Sequence, residues 1–118
     1  MLKTKRHKIE MDAARQAPGR LASKIAMILI GKNKVGYRTH IDSGDKIIVK
    51  NIGQMIFTGK KLEQKVYRHH SMHPGGLKEK PAKKMMAEKP EEILRHAVAK
   101  MLPKNKLRNA RMLRLSFK

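Results

Sequence analysis

The sequence contains no cysteine and no tryptophan, and its aromatic residues number two Tyr and two Phe. Without cysteine there are no disulfides and no thiolate metal sites, which fits a reducing compartment. With so few aromatic rings, stacking platforms for nucleic-acid bases must be scarce. Acidic residues are also thin, 9 Asp or Glu against 29 Lys or Arg. Long apolar stretches are missing too. No run approaches the roughly 18 residues of a membrane-spanning helix, so no membrane span is expected. The opening Met1-Leu2-Lys3-Thr4-Lys5-Arg6-His7 is basic, but no apolar stretch follows it, so it does not read as a secretory signal.

What is present is a chain of 118 residues, of which 40% are apolar. That is too many for a wholly disordered basic tail. The length suggests one domain over residues 1–118, able to bury about two-thirds of the surface its unfolded form exposes. The formal charge is +20. A domain so charged repels itself at a cost in stability, and the balance makes sense beside a dense polyanion. Nucleic acid is the first candidate and an anionic membrane surface the second. Solubility alone requires far less charge. The cations are spread along the chain: residues 1–59 hold 12 Lys or Arg and residues 60–118 hold 17. A globular head with one basic tail would be more lopsided.

Local patterns predict the elements. Ile9, Met11 and Ala13 alternate with Lys8, Glu10 and Asp12, the period of a strand. Pro18-Gly19 breaks the chain. A helix is expected from Arg20, with Leu21, Ala22, Ile25, Ile28 and Leu29 on one face and Gly31 as its stop. Residues 31–46 read as a basic loop containing the turn signal Ser43-Gly44-Asp45. Ile47-Ile48-Val49 then reads as a buried strand. Met55-Ile56-Phe57 suggests another extended piece. Residues 69–90, rich in Pro, Gly and Lys, are expected to be one long irregular basic segment. Pro90-Glu91-Glu92 opens a second helix, since Pro suits the first turn and acids complement the helix dipole. Its stripe is Ile93, Leu94, Ala97, Val98, Met101 and Leu102, and Pro103 ends it. Leu113, Leu115 and Phe117 alternate as a last strand. Strands alternating with helices favour an α/β sheet with parallel pairing.

Several constellations suggest chemistry and fail on spacing. Gly53 to Lys61 looks like a phosphate-binding loop. However, five residues rather than four separate Gly53 from Gly59, and Lys61 stands where Ser or Thr would hold magnesium. His69, His70 and His73 have the side chains of a metal site, but no Cys accompanies them and the next acid is Glu79. The same histidines would suit acid–base cleavage of RNA, without any spacing that supports it. The apolar helix stripes are core faces, not membrane-surface faces, because strands in the same short chain are there to cover them. Basic clusters recur at Lys32 with Lys34, at Lys60-Lys61 with Lys65 and Arg68, at Lys83-Lys84, and from Lys104 through Arg114. Together they suggest an extended phosphate-contacting surface. No helix-turn-helix or zinc finger is present for reading duplex DNA. Recognition of folded RNA by phosphate and shape fits better.

A series of short motifs carries a more specific resemblance. They are Asp12-Ala13, Gly19-Arg20-Leu21-Ala22-Ser23, Gly31-Lys32, Gly44-Asp45, Asn51 and Thr58-Gly59-Lys60-Lys61. They continue with Lys65-Val66-Tyr67-Arg68-His69, Pro74-Gly75-Gly76-Leu77-Lys78, Ala97-Val98 and Met101-Leu102-Pro103-Lys104-Asn105. In this order and spacing the chain resembles bacterial-type ribosomal protein thirteen of the large subunit. Departures include Pro18 where Leu is usual, and Lys100 and Arg108 where the family commonly has glycine. The resemblance implies a three-layer α/β/α domain around a four-stranded, largely parallel central sheet. It implies a non-catalytic constituent of the cytoplasmic large ribosomal subunit that needs no cofactor and takes no small-molecule substrate. Its partners would be large-subunit ribosomal RNA and neighbouring large-subunit proteins, and its role would be in subunit assembly.

The expected RNA contacts are Arg20, Lys24, Lys32, Lys34, Lys60, Lys61, Lys65, Arg68, His69, His70, Lys104, Lys106, Arg108 and Arg111. Arg20, His69 and Lys104 lie on matching family motifs, and the others follow from charge clustering. Two rival functions share this surface. One is a free regulator that binds a messenger RNA. The other is a histidine-dependent nuclease, which His69→Ala or His70→Ala would disable.

Overall fold

The computed structural model describes residues 5–118. Part of the basic opening segment, Met1–Thr4, lies outside the described residues. Strand β1 (Lys8–Asp12) leads into helix α1 (Pro18–Ile30), followed by strand β2 (Lys46–Lys50). A single 3-10 turn (Ile52–Gln54) and a short helix α2 (Lys61–Gln64) come next. Strands β3 (Val66–His70) and β4 (Leu77–Pro81) then precede helices α3 (Ala82–Glu88), α4 (Pro90–Met101) and α5 (Leu107–Leu113). Strand β5 (Leu115–Phe117) closes the order.

The mixed α/β expectation holds, but the sheet is smaller than expected and divided. Strands β1, β2 and β5 form a three-stranded, wholly parallel sheet in the order β1-β2-β5, with Ile9 beside Ile47 and Ile47 beside Leu115. Strands β3 and β4 form a separate antiparallel pair. There is thus no four-stranded central sheet. Nor are there three layers among the described residues. Two successive parallel crossovers of the same hand, each moving one strand over, place their helices on one face. Helices α1 and α4 accordingly pack against each other. Their residues Leu21, Ala22, Ile25, Leu29, Leu94 and Val98 share a core with Ile47, Val49 and Leu115. On the opposite face Glu10 and Ser116 are exposed, Ile48 is half-buried, and the Lys50 ammonium pairs with Glu10 at 2.6 Å.

Helix α1 begins at Pro18, two residues earlier than expected, because proline fits the first helical position. It ends as expected. Gly31 takes φ +90° and donates its N–H to the Met27 carbonyl at 3.0 Å. Gly44 packs directly on this end, where an added Cβ would lie 1.8 Å from the Leu29 carbonyl oxygen.

Three other expectations need correction. The segment 69–90 is not irregular: it holds the end of β3, a turn, β4 and α3. Met55 is buried with extended backbone, but Met55-Ile56-Phe57 joins no strand. The alternation at Leu113 does not start the last strand. Leu113 ends α5 and is 86% exposed, and β5 begins at Leu115. Arg108, in place of a family glycine, sits inside α5, where an ordinary helical backbone suits it.

Candidate nucleic-acid interface

The turn between β1 and α1 is tied to the segment after β2. Asp12 Oδ1 accepts hydrogen bonds from the Ala14 N–H at 2.9 Å and from Asn51 Nδ2 at 3.1 Å. The Arg15 N–H donates to the Gln54 carbonyl, and the Ile56 N–H to the Gln16 carbonyl. These bonds fix the start of α1 against Phe57 and Thr58. Helix α1 has no side-chain cap at Ala17 and no acid in its first turn. Its unpaired N–H groups and positive dipole end therefore face outward uncompensated.

Three adjoining hollows run across this end of the molecule. The central one, about 490 Å³, lies between the start of α1, the α2 region and the outer face of α4. Arg20, Lys61, Lys65 and Lys100 stand around it, and Phe57, Tyr67, Ile93 and Ala97 supply apolar and aromatic surface. It shares Arg20 and Thr58 with a flanking hollow that adds Arg15 and Lys24. On the other side it shares Lys65, Tyr67, His96 and Lys100 with a third hollow, which adds Arg68, His69, Lys78, Lys80 and Lys84. Along the whole furrow ten Lys or Arg side chains face one acid, Glu79. That acid is already bound to Arg68 Nε at 3.1 Å, and of the other cations Lys80 is paired with Glu88 outside the furrow at 3.0 Å. The Tyr67 and His96 rings are 6.0 Å apart at 29°, and the Lys65 ammonium lies 5.2 Å from the Tyr67 ring centre. Burial pushes the Tyr67 phenol above its ordinary pKa, so it stays neutral at physiological pH.

Six of the residues expected from the sequence meet in this furrow: Arg20, Lys24, Lys61, Lys65, Arg68 and His69. Lys60 and His70 are exposed beside it without lining it. Lys32 is exposed at the far end of α1, roughly 20 Å away at 1.5 Å per residue. Lys104 and Lys106 are exposed between α4 and α5, and Arg108 is half-buried in α5.

Lys34 and Arg111 face inward. The Lys34 ammonium pairs with buried Asp45 at 2.8 Å and donates to the Ser43 carbonyl at 2.7 Å. Arg111 is 1% exposed, with Nε 3.7 Å from Asp42 and no hydrogen-bond partner for that nitrogen. Arg114 Nη2 bonds Asp42 Oδ1 at 2.7 Å and the Leu29 carbonyl at 2.8 Å, which neutralises the negative end of α1.

The contact set expected from the sequence lacked Arg15, Phe57, Tyr67, Lys78, Lys80, His96 and Lys100, and it left out Lys84 although Lys83-Lys84 stood out as a basic cluster. In the β3–β4 ribbon Tyr67 lies opposite Lys80 and His69 opposite Lys78, so these four share one face, a register that depends on a hairpin the sequence pattern did not announce.

Residues 6–117 match the family described as Ribosomal protein L13. The chain belongs to that family. It is 57% identical over 104 residues to the large ribosomal subunit protein uL13 of Syntrophus aciditrophicus, covering 88% of this chain and 72% of that one. It is 50% identical over 97 residues to the protein of the same name in Clostridium tetani, covering 82% and 67%. Against that of Clostridioides difficile it is 50% identical over 105 residues, covering 89% and 73%. Family members thus extend beyond the matched region by about a quarter to a third of their length.

Proposed function

We propose that this protein is a structural constituent of the large ribosomal subunit that binds large-subunit ribosomal RNA and takes no part in catalysis. Residues 1–118 serve as one domain, since Ala13 near one end and Leu115 near the other belong to the same core. The observation that carries the RNA reading is the furrow, in which ten cations face one already paired acid. Family membership supplies the ribosomal setting.

Arg20, Lys24, Lys61, Lys65, Arg68 and His69 form the principal contact set, joined by Lys78, Lys84 and Lys100. Lys32, Lys60, His70, Lys104, Lys106 and Arg108 are outlying contacts that reach neighbouring RNA segments. Lys34 and Arg111 serve the fold. Arg side chains fork onto two phosphate oxygens, whereas Lys acts as a point charge. Neighbouring large-subunit proteins are secondary partners. If about six to ten phosphates are neutralised, affinity falls roughly 10³- to 10⁵-fold between 50 and 200 mM salt.

The test is sucrose-gradient separation of a lysate in low and high salt, with the protein located by mass spectrometry. Co-migration with large subunits and whole ribosomes supports the reading. Absence from those fractions at both salts overturns it, and recovery on a discrete messenger would favour the regulator.

A further inference from the structure

The aromatic residues are few, yet they are not scattered. Of the four in the chain, Phe57 and Tyr67 both line the central hollow, and the His96 ring stacks beside Tyr67. Phosphate contacts alone do not call for this. A surface that only neutralises backbone charge needs cations and no rings. The central hollow sets the ring faces of Phe57 and Tyr67 and an apolar wall of Ile93 and Ala97 inside a cationic rim, and the Tyr67–His96 pair stands where it meets the third hollow. Its volume of about 490 Å³ falls in the range of small-molecule sites. This combination matches one chemistry closely: a flat, weakly polar base attached to a charged backbone. Unpaired RNA bases are read by stacking on aromatic rings, and their phosphates pair with cations alongside.

We propose that the central hollow accepts one unpaired RNA nucleotide, whose base stacks on the Tyr67–His96 pair while Arg20, Lys61, Lys65 and Lys100 hold the phosphates on either side. The inference rests on the RNA-binding reading and sharpens it. The furrow follows a single strand through its middle and is not only a shelf for a helical backbone. Duplex RNA, whose bases are stacked internally, engages the outer cations without filling the hollow. The preformed rings make the site tolerant of base identity, because every base has a π-face.

The test uses the full chain and four probes of equal phosphate number: oligo(U), oligo(A), an abasic ribose-phosphate strand and a blunt RNA duplex. Binding is measured by anisotropy at one salt concentration. The base-bearing strands should bind about fivefold to a hundredfold more tightly than the abasic strand, the range expected for one stacked base. Tyr67→Leu and His96→Ala should each shrink that ratio and leave abasic affinity unchanged. A 4-thiouridine-substituted oligo(U) should photocrosslink to Tyr67 or His96, a readout that needs no variant. Equal affinity for base-bearing and abasic strands, or crosslinks only at residues that do not line the central hollow, overturns the proposal while leaving RNA binding intact. Equal weakening of both strands by the variants also overturns it, since the rings would then be structural. If no probe binds, duplex included, the RNA-binding reading itself fails.

Discussion

One carboxylate, Asp42, holds three arginines at the far end of α1. It bonds Arg114 through both oxygens and lies 3.7 Å from Arg6 and from Arg111. Burial alone would raise its pKa. The Arg114 hydrogen bonds and the charges of Arg114, Arg6 and Arg111 outweigh that and hold it below the ordinary carboxylate value. Asp45 behaves alike: burial is outweighed by Lys34 and by the His7 N–H. The unfolded chain binds these protons near about pH 3.9, above the folded value, so the stabilisation is present above that pH. It is lost as pH falls through the folded pKa. Urea unfolding at pH 6 and pH 3 should show lower stability at pH 3. Asp42→Asn should lose about 3 kcal/mol at pH 6, because it strands buried arginines, and should depend less on pH. A variant as stable as the parent at pH 6 would remove Asp42 from this role. Arg111 is the converse case. Its buried Nε lacks a partner, so its desolvation is poorly repaid. Asp42 keeps Arg114 and Arg6 when Arg111 is lost, so Arg111→Met should cost much less stability than Asp42→Asn, and should leave RNA affinity unchanged. An equal loss of stability, or any loss of RNA affinity, would show that this guanidinium has a role its contacts do not reveal.

At the scale of the element, α1 starts without the cap its stability would favour. Ala17 has the extended backbone of an N-cap, φ −73° and ψ 138°, but no side chain able to accept the free N–H groups. Ala17→Asp should therefore stabilise the free protein by about 1 kcal/mol. The same carboxylate would stand in both the central hollow and its Arg15-side neighbour. It should weaken RNA binding, so melting temperature and affinity move in opposite directions. Parallel loss of both would refute the argument. Elements with one clear apolar face were legible in the sequence: β1, α1, β2 and α4. The β3–β4 hairpin was not, because Arg68-His69-His70 and Lys78-Glu79-Lys80 offer no alternating apolar face. Its ladder and the bond from the Ala82 N–H to the Lys65 carbonyl hold it instead. Helix α5 was hidden for the opposite reason. Leu113 imitates a strand's period while pointing into solvent. Of the furrow's basic residues, Lys61, Lys65, Arg68 and Lys84 were legible as charge clusters; Arg15, Lys78, Lys80 and Lys100 were not, because the fold brings them to the furrow from separate elements. Nothing local distinguishes Lys34 or Arg111 from a solvent-facing cation, since the partner of Arg111 lies far off along the chain.

For the whole molecule, a charge of +20 makes salt act with opposite signs on folding and on binding. Screening relieves self-repulsion in the free protein, so its melting temperature should rise with added salt. RNA affinity should fall, because each neutralised phosphate releases counterions that salt makes costlier to release. The furrow turns this into a residue-level expectation. Lys61 and Lys65 line the central hollow, whereas Lys60 does not. Lys61→Gln with Lys65→Gln should reduce the steepness of log affinity against log salt by about two, one for each lost phosphate contact. Lys60→Gln alone should change it much less. Neither variant should cost much stability, because these side chains are exposed and removing them lowers the repulsion, which offsets the lost Lys65–Tyr67 contact. Titrations of large-subunit RNA across 50–300 mM salt would decide the matter. If Lys60→Gln flattened the slope as much as the double variant, the cations would be acting as a diffuse cloud. A loss confined to the furrow pair would instead mean that RNA phosphates sit at the central hollow.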